Sequence, residues 1–136
     1  MKRISIALIF LVLSGAVLSG CTSYKGLEIV APEFGQTVNE LSPTLQWKEA
    51  PGTDVTYELV IYEGDNEDPI YHKKGLTGGS HTVETELKPN TLYQWSIRSK
   101  TGDTFSEWSK KETKIFTGVS YHRRAKKMEF TTPAAQ

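Results

Sequence analysis

Short alternations of apolar and polar residues run through the chain from residue 27 to residue 132. A period of two residues is typical of β-strands, in which successive side chains point to opposite faces. Gly, Pro, Asn and Asp cluster between these segments, as they do at the turns of antiparallel sheets. No segment here has the longer apolar period of an amphipathic helix. The pattern predicts seven strands, at residues 27–30, 44–48, 55–62, 70–73, 81–84, 92–99 and 128–132.

Two of the predicted strands, 55–62 and 92–99, alternate clearly enough to assign an inward face. Aromatic and aliphatic side chains occupy one set of alternate positions, and mostly polar side chains occupy the other. The apolar sets should therefore face the core. The shorter strands at 70–73 and 81–84 are expected at or near sheet edges. The residues expected to point inward are Tyr57, Leu59, Ile61, Tyr93, Trp95 and Ile97.

The connection before the last predicted strand is unusually long. Residues 109–127 show no clear hydrophobic period, whereas a hairpin connection normally needs only about two to five residues. Long connections of this kind run over the surface and frequently have a functional role. We therefore predict a surface insertion at residues 109–127.

The first twenty residues have the layout of an export signal. Lys2 and Arg3 precede an uncharged, largely apolar run at residues 4–17. This run is shorter than the roughly 20 residues that a helix needs to cross a bilayer. The layout therefore favours a cleaved signal peptide over a permanent transmembrane anchor.

Leu18-Ser19-Gly20-Cys21 resembles the lipobox of bacterial lipoproteins. In that family the cysteine thiol receives a diacylglyceryl group and becomes the new N-terminus, so the resemblance implies lipidation of Cys21. An aspartate after the cysteine tends to retain such proteins in the inner membrane of enteric-type bacteria. Thr22 occupies that position, which implies the outer membrane where the source has two. The expected organisation is a signal peptide at 1–20, a lipidated N-terminus and short tether at 21–26, one domain at 27–132 and a tail at 133–136.

The segment Leu87-Lys88-Pro89-Asn90-Thr91-Leu92-Tyr93 resembles the Leu-x-Pro-x-Thr-x-Tyr segment of fibronectin type III domains, whose tyrosine forms the E–F corner. Pro43-Thr44-Leu45-Gln46-Trp47 is similar to the second strand of that family, and Glu107-Trp108-Ser109 to its later part. The resemblance implies an all-β fold, an Ig-like or fibronectin type III-like antiparallel β-sandwich of about seven strands. It also implies folding roles for Leu87, Tyr93, Trp47 and Trp95.

Charge and residue content argue against several classes of function. After residue 20 the chain carries 14 Lys and Arg against 16 Asp and Glu, whereas general affinity for nucleic acid needs a basic surface. The single cysteine cannot form an intramolecular disulfide. His72, His81 and His122 lack the spacing of a paired metal site, and no Gly-x-Ser-x-Gly motif is present. We expect no nucleic acid partner, metal, cofactor or catalytic residue.

A basic run, His122-Arg123-Arg124-Ala125-Lys126-Lys127, lies in the insertion after two aromatic residues. Positive charge beside aromatic rings suits phosphate groups or sugar rings, although such runs are also common on solvated loops. The candidate binding residues are Phe116, Tyr121, Arg123, Arg124, Lys126 and Lys127.

The favoured function is a membrane-tethered, non-catalytic interaction or scaffold module of the bacterial cell envelope. It would bind a protein partner through the 109–127 insertion, because loops carry recognition in sandwich domains. The alternative is a glycan-binding or lipid-headgroup-binding module. In that case aromatic rings would stack on the ligand and arginines would hold its anionic groups, the residues being Trp108, Phe116, Tyr121, Arg123 and Arg124. An enzyme is the least favoured class.

Overall fold

The computed structural model describes residues 23–136, apart from the side chains of Ser23, Lys114, Phe116 and residues 121–123. The predicted signal peptide, Cys21 and Thr22 lie outside the described residues. Within them the chain forms twelve strands and no helix. The strands are β1 (Ser23–Lys25), β2 (Ile29–Ala31), β3 (Gln36–Thr37), β4 (Thr44–Trp47), β5 (Thr56–Glu63), β6 (Tyr71–Leu76), β7 (Ser80–Thr82), β8 (Leu92–Thr101), β9 (Thr104–Phe105), β10 (Lys110–Phe116), β11 (Tyr121–Lys126) and β12 (Met128–Thr131).

Two of the sheets form a β-sandwich around a single core. One has the strand order β2-β4-β7, and the other has the order β3-β12-β8-β5-β6, with β9 paired to β8. Only β3 and β12 pair in parallel; the other pairings described are antiparallel. Leu45 and Trp47 from the smaller sheet pack in one buried cluster with Leu59 and Trp95 from the larger. The prediction of an all-β, Ig-like sandwich is confirmed.

The alternation along the two longest predicted strands assigned their faces correctly. Each of the six residues predicted to point inward is at most 3% exposed. All seven predicted strands are present, as β2, β4, β5, β6, β7, β8 and β12. β6 and β7 each lie at the end of a sheet, as expected for edge strands.

Tyr93 forms the corner that the family resemblance implies. Its hydroxyl accepts a hydrogen bond from the Lys88 backbone N–H at 3.0 Å, and its ring is 1% exposed. The Thr132 hydroxyl donates to the Lys88 carbonyl at 2.6 Å and accepts from the Thr91 N–H at 2.9 Å. The corner therefore also fixes the end of the last strand.

The last strand of the sandwich is interrupted. β8 pairs with β5 on one side, but two separate chain segments share its other side. β12 pairs with its first half, with Met128 opposite Trp95. Beyond that point the Ser109 N–H donates to the Ile97 carbonyl at 2.8 Å, and the Ser106 N–H donates to the Ser99 carbonyl at 2.9 Å. Residues 110–127 leave the sheet between these two segments.

These inserted residues form a β-hairpin of β10 and β11, which we call the hairpin (residues 110–127). The hairpin was predicted only as a long surface connection, and its regular structure was missed. β1 pairs with the free edge of β10 and makes a third, small sheet in the order β1-β10-β11. Residues 23–25 of the predicted tether are therefore a strand.

The start of the domain is fixed against the base of the hairpin. Gly26 has a φ of 74°, and a Cβ atom there would lie 2.7 Å from the Glu107 carbonyl oxygen. Glycine is required at this position because other residues would meet both strain and a backbone clash. Lys25 also pairs with Glu107 at 3.3 Å. Lys25 and Gly26 are therefore held directly against the sandwich.

Candidate functional site

The hairpin closes through a tight turn. The Thr117 N–H donates to the Ser120 carbonyl at 3.1 Å, and Gly118 adopts a φ of 83°. Glycine at the first central position is typical of the type II′ turns that suit the twist of hairpin strands. Val119 follows it and is 94% exposed. The turn therefore presents an apolar side chain to solvent.

Charge is distributed very unevenly between the hairpin and the rest of the chain after residue 20. The hairpin contains seven Lys and Arg and one acidic residue, Glu112. The remainder contains seven Lys and Arg and fifteen Asp and Glu. A strongly basic projection therefore extends from an acidic domain, although the chain as a whole is nearly neutral. Such separation of charge steers association with oppositely charged surfaces.

The structure places five of the six candidate binding residues on the hairpin strands and the sixth at their base. Phe116 lies opposite Tyr121, Arg124 opposite Thr113 and Lys126 opposite Lys111. The side chains of Phe116, Tyr121 and Arg123 lie outside the description. Lys127 follows β11, and its ammonium nitrogen is 3.7 Å from the centroid of the Tyr62 ring. Lys127 therefore packs against the sandwich, whereas Arg124 and Lys126 are exposed.

Trp108 lies at a different place from the hairpin strands. The Arg98 guanidinium lies between two rings, 4.4 Å from the centroid of Trp108 and 4.0 Å from that of Phe105. Trp108 is only partly exposed. Its ring is therefore already engaged in a cation–π contact on the outer face of the larger sheet.

One side of the hairpin and the loop after β2 enclose a groove with a volume of about 260 Å³. Lys111, Thr113 and Ile115 occupy alternate positions of β10 and so share a face. Lys111 Nζ lies 4.4 Å from the centroid of the Phe34 ring. We call this feature the hairpin groove. Its lining residues are Phe34, Lys111, Thr113, Ile115, Arg124 and Lys126.

Sequence reasoning found only Arg124 and Lys126 among these residues. Phe34 belongs to no alternating pattern, and nothing local in the sequence indicates that it approaches residue 111. Lys111 precedes the basic run by more than ten residues and joins it only through the register of β10 and β11. The excess of Lys and Arg over residues 110–127 was the available signal.

A second polar cluster lies on the outer face of the larger sheet. Glu58 is 7% exposed and accepts hydrogen bonds from Arg98 Nε at 2.8 Å and His72 Nε2 at 2.7 Å. Burial opposes ionisation of this carboxyl, but the two hydrogen bonds and the nearby positive charge outweigh it and lower the pKa of Glu58. Both carboxylate oxygens therefore have a basic partner, as in a structural ion pair.

His81, the other histidine whose side chain is described, also has a hydrogen-bond partner. Its Nε2 atom lies 2.8 Å from the Tyr71 hydroxyl, a contact that links β7 to β6. Burial is the largest influence on this ring and lowers the pKa of His81. Among the described residues, no three His, Cys, Asp or Glu side chains are placed to share a metal ion.

The fold defines a class, the Ig-like β-sandwich domain, here with a β-hairpin inserted into its last strand. Residues 31–115 match the family model of the fibronectin type III domain, which is more than half of the chain. The chain belongs to the fibronectin type III family. Domains of this family are generally non-catalytic binding or scaffolding modules. No curated protein sequence gives a significant match.

The matched segment ends inside β10, whereas the sandwich is completed by β12. This difference reflects the interruption of the last strand. Residues 23–136 include no helix long and apolar enough to cross a membrane.

Proposed function

We propose that this protein is a membrane-tethered, non-catalytic interaction module of the bacterial cell envelope, which binds a protein partner through the hairpin. The observation that carries this proposal is that the hairpin lies outside the core of the sandwich and is strongly basic. None of its described residues belongs to the buried core cluster, yet it carries half of the Lys and Arg present after residue 20. Packing therefore does not account for its composition.

The proposed tether is a lipid on Cys21. Two features of the sequence support this tether. Residues 1–20 have the basic, apolar and small-residue segments of a signal peptide, and Leu18-Ser19-Gly20-Cys21 resembles a lipobox. Two or more acyl chains anchor a protein stably, whereas one chain binds only marginally. Thr22 favours the outer membrane where the source has two membranes. The short path from Cys21 to β1 would hold the domain close to the bilayer.

The charge of the hairpin indicates what its protein partner should present. A surface rich in Asp and Glu would complement the exposed cations of β11 and would increase the association rate at low salt. Charged contacts of this kind weaken as ionic strength rises, because added salt shortens the Debye length, which is about 8 Å at physiological salt. Partner capture should therefore depend on salt.

The test is affinity capture from solubilised envelopes at two salt concentrations. Serine substitution of four cations should reduce recovery of the partner at low salt by about tenfold or more, because close charge pairs at interfaces are coupled by roughly 1.5 kcal/mol or more. The melting temperature should change little, since Arg124 and Lys126 are exposed. The substituted residues are Arg123, Arg124, Lys126 and Lys127.

Two controls make the result specific. Lys127→Ser alone separates loss of the Tyr62 contact from loss of partner binding. A second variant removes four cations elsewhere and so has the same net charge. Equal partner recovery by the wild type and the hairpin variant would contradict the proposal, as would equal losses in the two four-residue variants. The substitutions of the second variant are Lys48→Ser, Lys74→Ser, Lys88→Ser and Lys100→Ser.

A further inference from the structure

We infer that the hairpin groove binds the phosphate group of an anionic lipid, so that the hairpin docks on the surface of the membrane that carries the tether. This inference rests on the proposed tether and adds a second, electrostatic contact with the same bilayer. It also differs from the lipid-headgroup site expected from the sequence, because the groove is lined by Phe34 and Lys111 and not by Trp108.

The arrangement of charge in the groove favours an anionic occupant. Lys111 and Lys126 lie directly opposite each other in the β10–β11 register, and like charges in that position destabilise a pair of strands. Arg124 lines the same groove, and no carboxylate is among its lining residues. An anion between these side chains would relieve their repulsion. Phosphate suits such a site, since Arg can bind two of its oxygens while Lys supplies a point charge.

The position of the groove favours a lipid as the source of that phosphate. β1 is antiparallel to β10, with Ser23 opposite Glu112 and Lys25 opposite Lys110, so Ser23 is the end of β1 nearer to the turn of the hairpin. Two extended residues span at most about 7 Å. The covalent chain therefore limits Cys21 to within about 7 Å of Ser23, and Ser23 pairs with the strand that lines the groove. A lipid on Cys21 would bring the headgroups of its own bilayer close to β10 and the groove.

Exposed apolar residues near the turn of the hairpin suit a bilayer as the source of the phosphate. Val119 at the turn is 94% exposed, and Ile115 in the groove is 39% exposed. Cations combined with exposed apolar side chains are typical of segments that lie in the headgroup region of an anionic bilayer.

The experiment measures co-sedimentation of residues 22–136 with vesicles. This fragment contains every residue of the core cluster and lacks Cys21, so a lipid anchor cannot contribute. The vesicles contain either phosphatidylcholine alone or phosphatidylcholine with 30 mol% phosphatidylglycerol as a roughly physiological anionic fraction. We expect binding only to the anionic vesicles, reversed by high salt. Replacing Lys111, Arg124 and Lys126 with serine should weaken binding to the anionic vesicles on the order of 100-fold, since each cation near an anionic membrane surface contributes about a factor of five to the affinity.

A matched variant distinguishes the groove from general electrostatic attraction. Lys48→Ser, Lys74→Ser and Lys88→Ser together remove the same charge from other exposed positions. They should weaken vesicle binding by less than about threefold, because none of them lines the groove and charges beyond a Debye length are largely screened. Equal losses in the two triple variants would overturn the groove, and failure of the wild-type fragment to bind anionic vesicles would overturn membrane docking. A parallel NMR titration follows the signals of the groove residues as inorganic phosphate is added. If these signals shift although the fragment does not bind vesicles, that result would assign the site to free phosphate and would reject the lipid.

Failure of this inference and failure of the proposed function give different results. Vesicle binding tests the groove without the lipid on Cys21, whereas affinity capture tests a protein partner in solubilised envelopes without an intact bilayer. If the hairpin captures a protein partner but does not bind vesicles, the proposed function is supported and the lipid site in the groove is rejected.

Discussion

Trp95→Ala is expected to lower the free energy of unfolding by about 3–5 kcal/mol, because a large buried ring is replaced by a cavity. Trp95 is fully buried and lies at the centre of β8, with Ile61 of β5 on one side and Met128 of β12 on the other. The cavity would therefore open where the interrupted last strand returns to the sheet. Denaturant unfolding followed by fluorescence measures the change.

Gln94→Ala is the control for this substitution. Gln94 neighbours Trp95 but points to the opposite, partly exposed face, where its side chain donates a hydrogen bond to Asp65 at 3.1 Å. Loss of this exposed bond should cost no more than about 1 kcal/mol. If Trp95→Ala unfolded at the same denaturant concentration as Gln94→Ala, the packing described for β8 would be wrong.

Cys21→Ser is expected to move the protein from the membrane fraction to the soluble or precursor pool. Serine has no thiol to accept the diacylglyceryl group, and each methylene withheld from the bilayer removes about 0.8 kcal/mol of anchoring free energy. The sandwich should remain folded, since its core begins at Leu27. Fractionation after a high-salt wash measures the change, because the wash also removes protein held only by electrostatic contact with lipid headgroups.

Ser19→Ala is the matched control, because it keeps a small residue before the cysteine and should leave fractionation unchanged. Retention of the Cys21→Ser protein in washed membranes, with processing of the signal segment intact, would reject lipid anchoring. Partner binding by the hairpin would then have to be considered without a tether.

The sandwich could be predicted from sequence because its strands have one buried face. In β5 and β8 the buried face imposes a period of two, which survives even where Glu58 and Ser96 on the other face are also buried. Tyr93 could be placed because the corner needs a tyrosine at a fixed distance from Pro89, and the family segment contains both. These signals are local and need no knowledge of tertiary contacts.

The hairpin could not be predicted in the same way because no apolar face marks its strands. β10 reads Lys-Lys-Glu-Thr-Lys-Ile-Phe and β11 reads Tyr-His-Arg-Arg-Ala-Lys, so neither alternates apolar with polar residues. β1 has only three residues, and its pairing with β10 joins segments almost ninety residues apart in the chain. Phe34 reaches the groove through a similarly distant contact. Nonlocal pairing of this kind leaves no periodic trace in a single sequence.

The interruption of the last strand also explains why the hairpin can be separated from the fold of the sandwich. Ser109 lies at the level of Ile97 and Met128 at the level of Trp95, so a single residue is needed between them to make the strand continuous. Lys110 joined directly to Met128 would supply that residue. It would point outward, while Ser109 and Met128 would keep their inward positions under the alternation of the strand.

Excision of residues 111–127 is therefore the most direct test of the account, in which the hairpin is an appendage of an independently closed sandwich. The measurement is an NMR amide correlation spectrum combined with denaturant unfolding, each compared with the full domain. We expect the core resonances, including the Trp47 and Trp95 indole signals, to be retained. Unfolding should stay cooperative, because the length of a surface insertion changes stability by only about 0.6 kcal/mol per doubling. Loss of the dispersed core signals, or of the cooperative transition, would show that the hairpin is part of what folds the domain and would contradict the account.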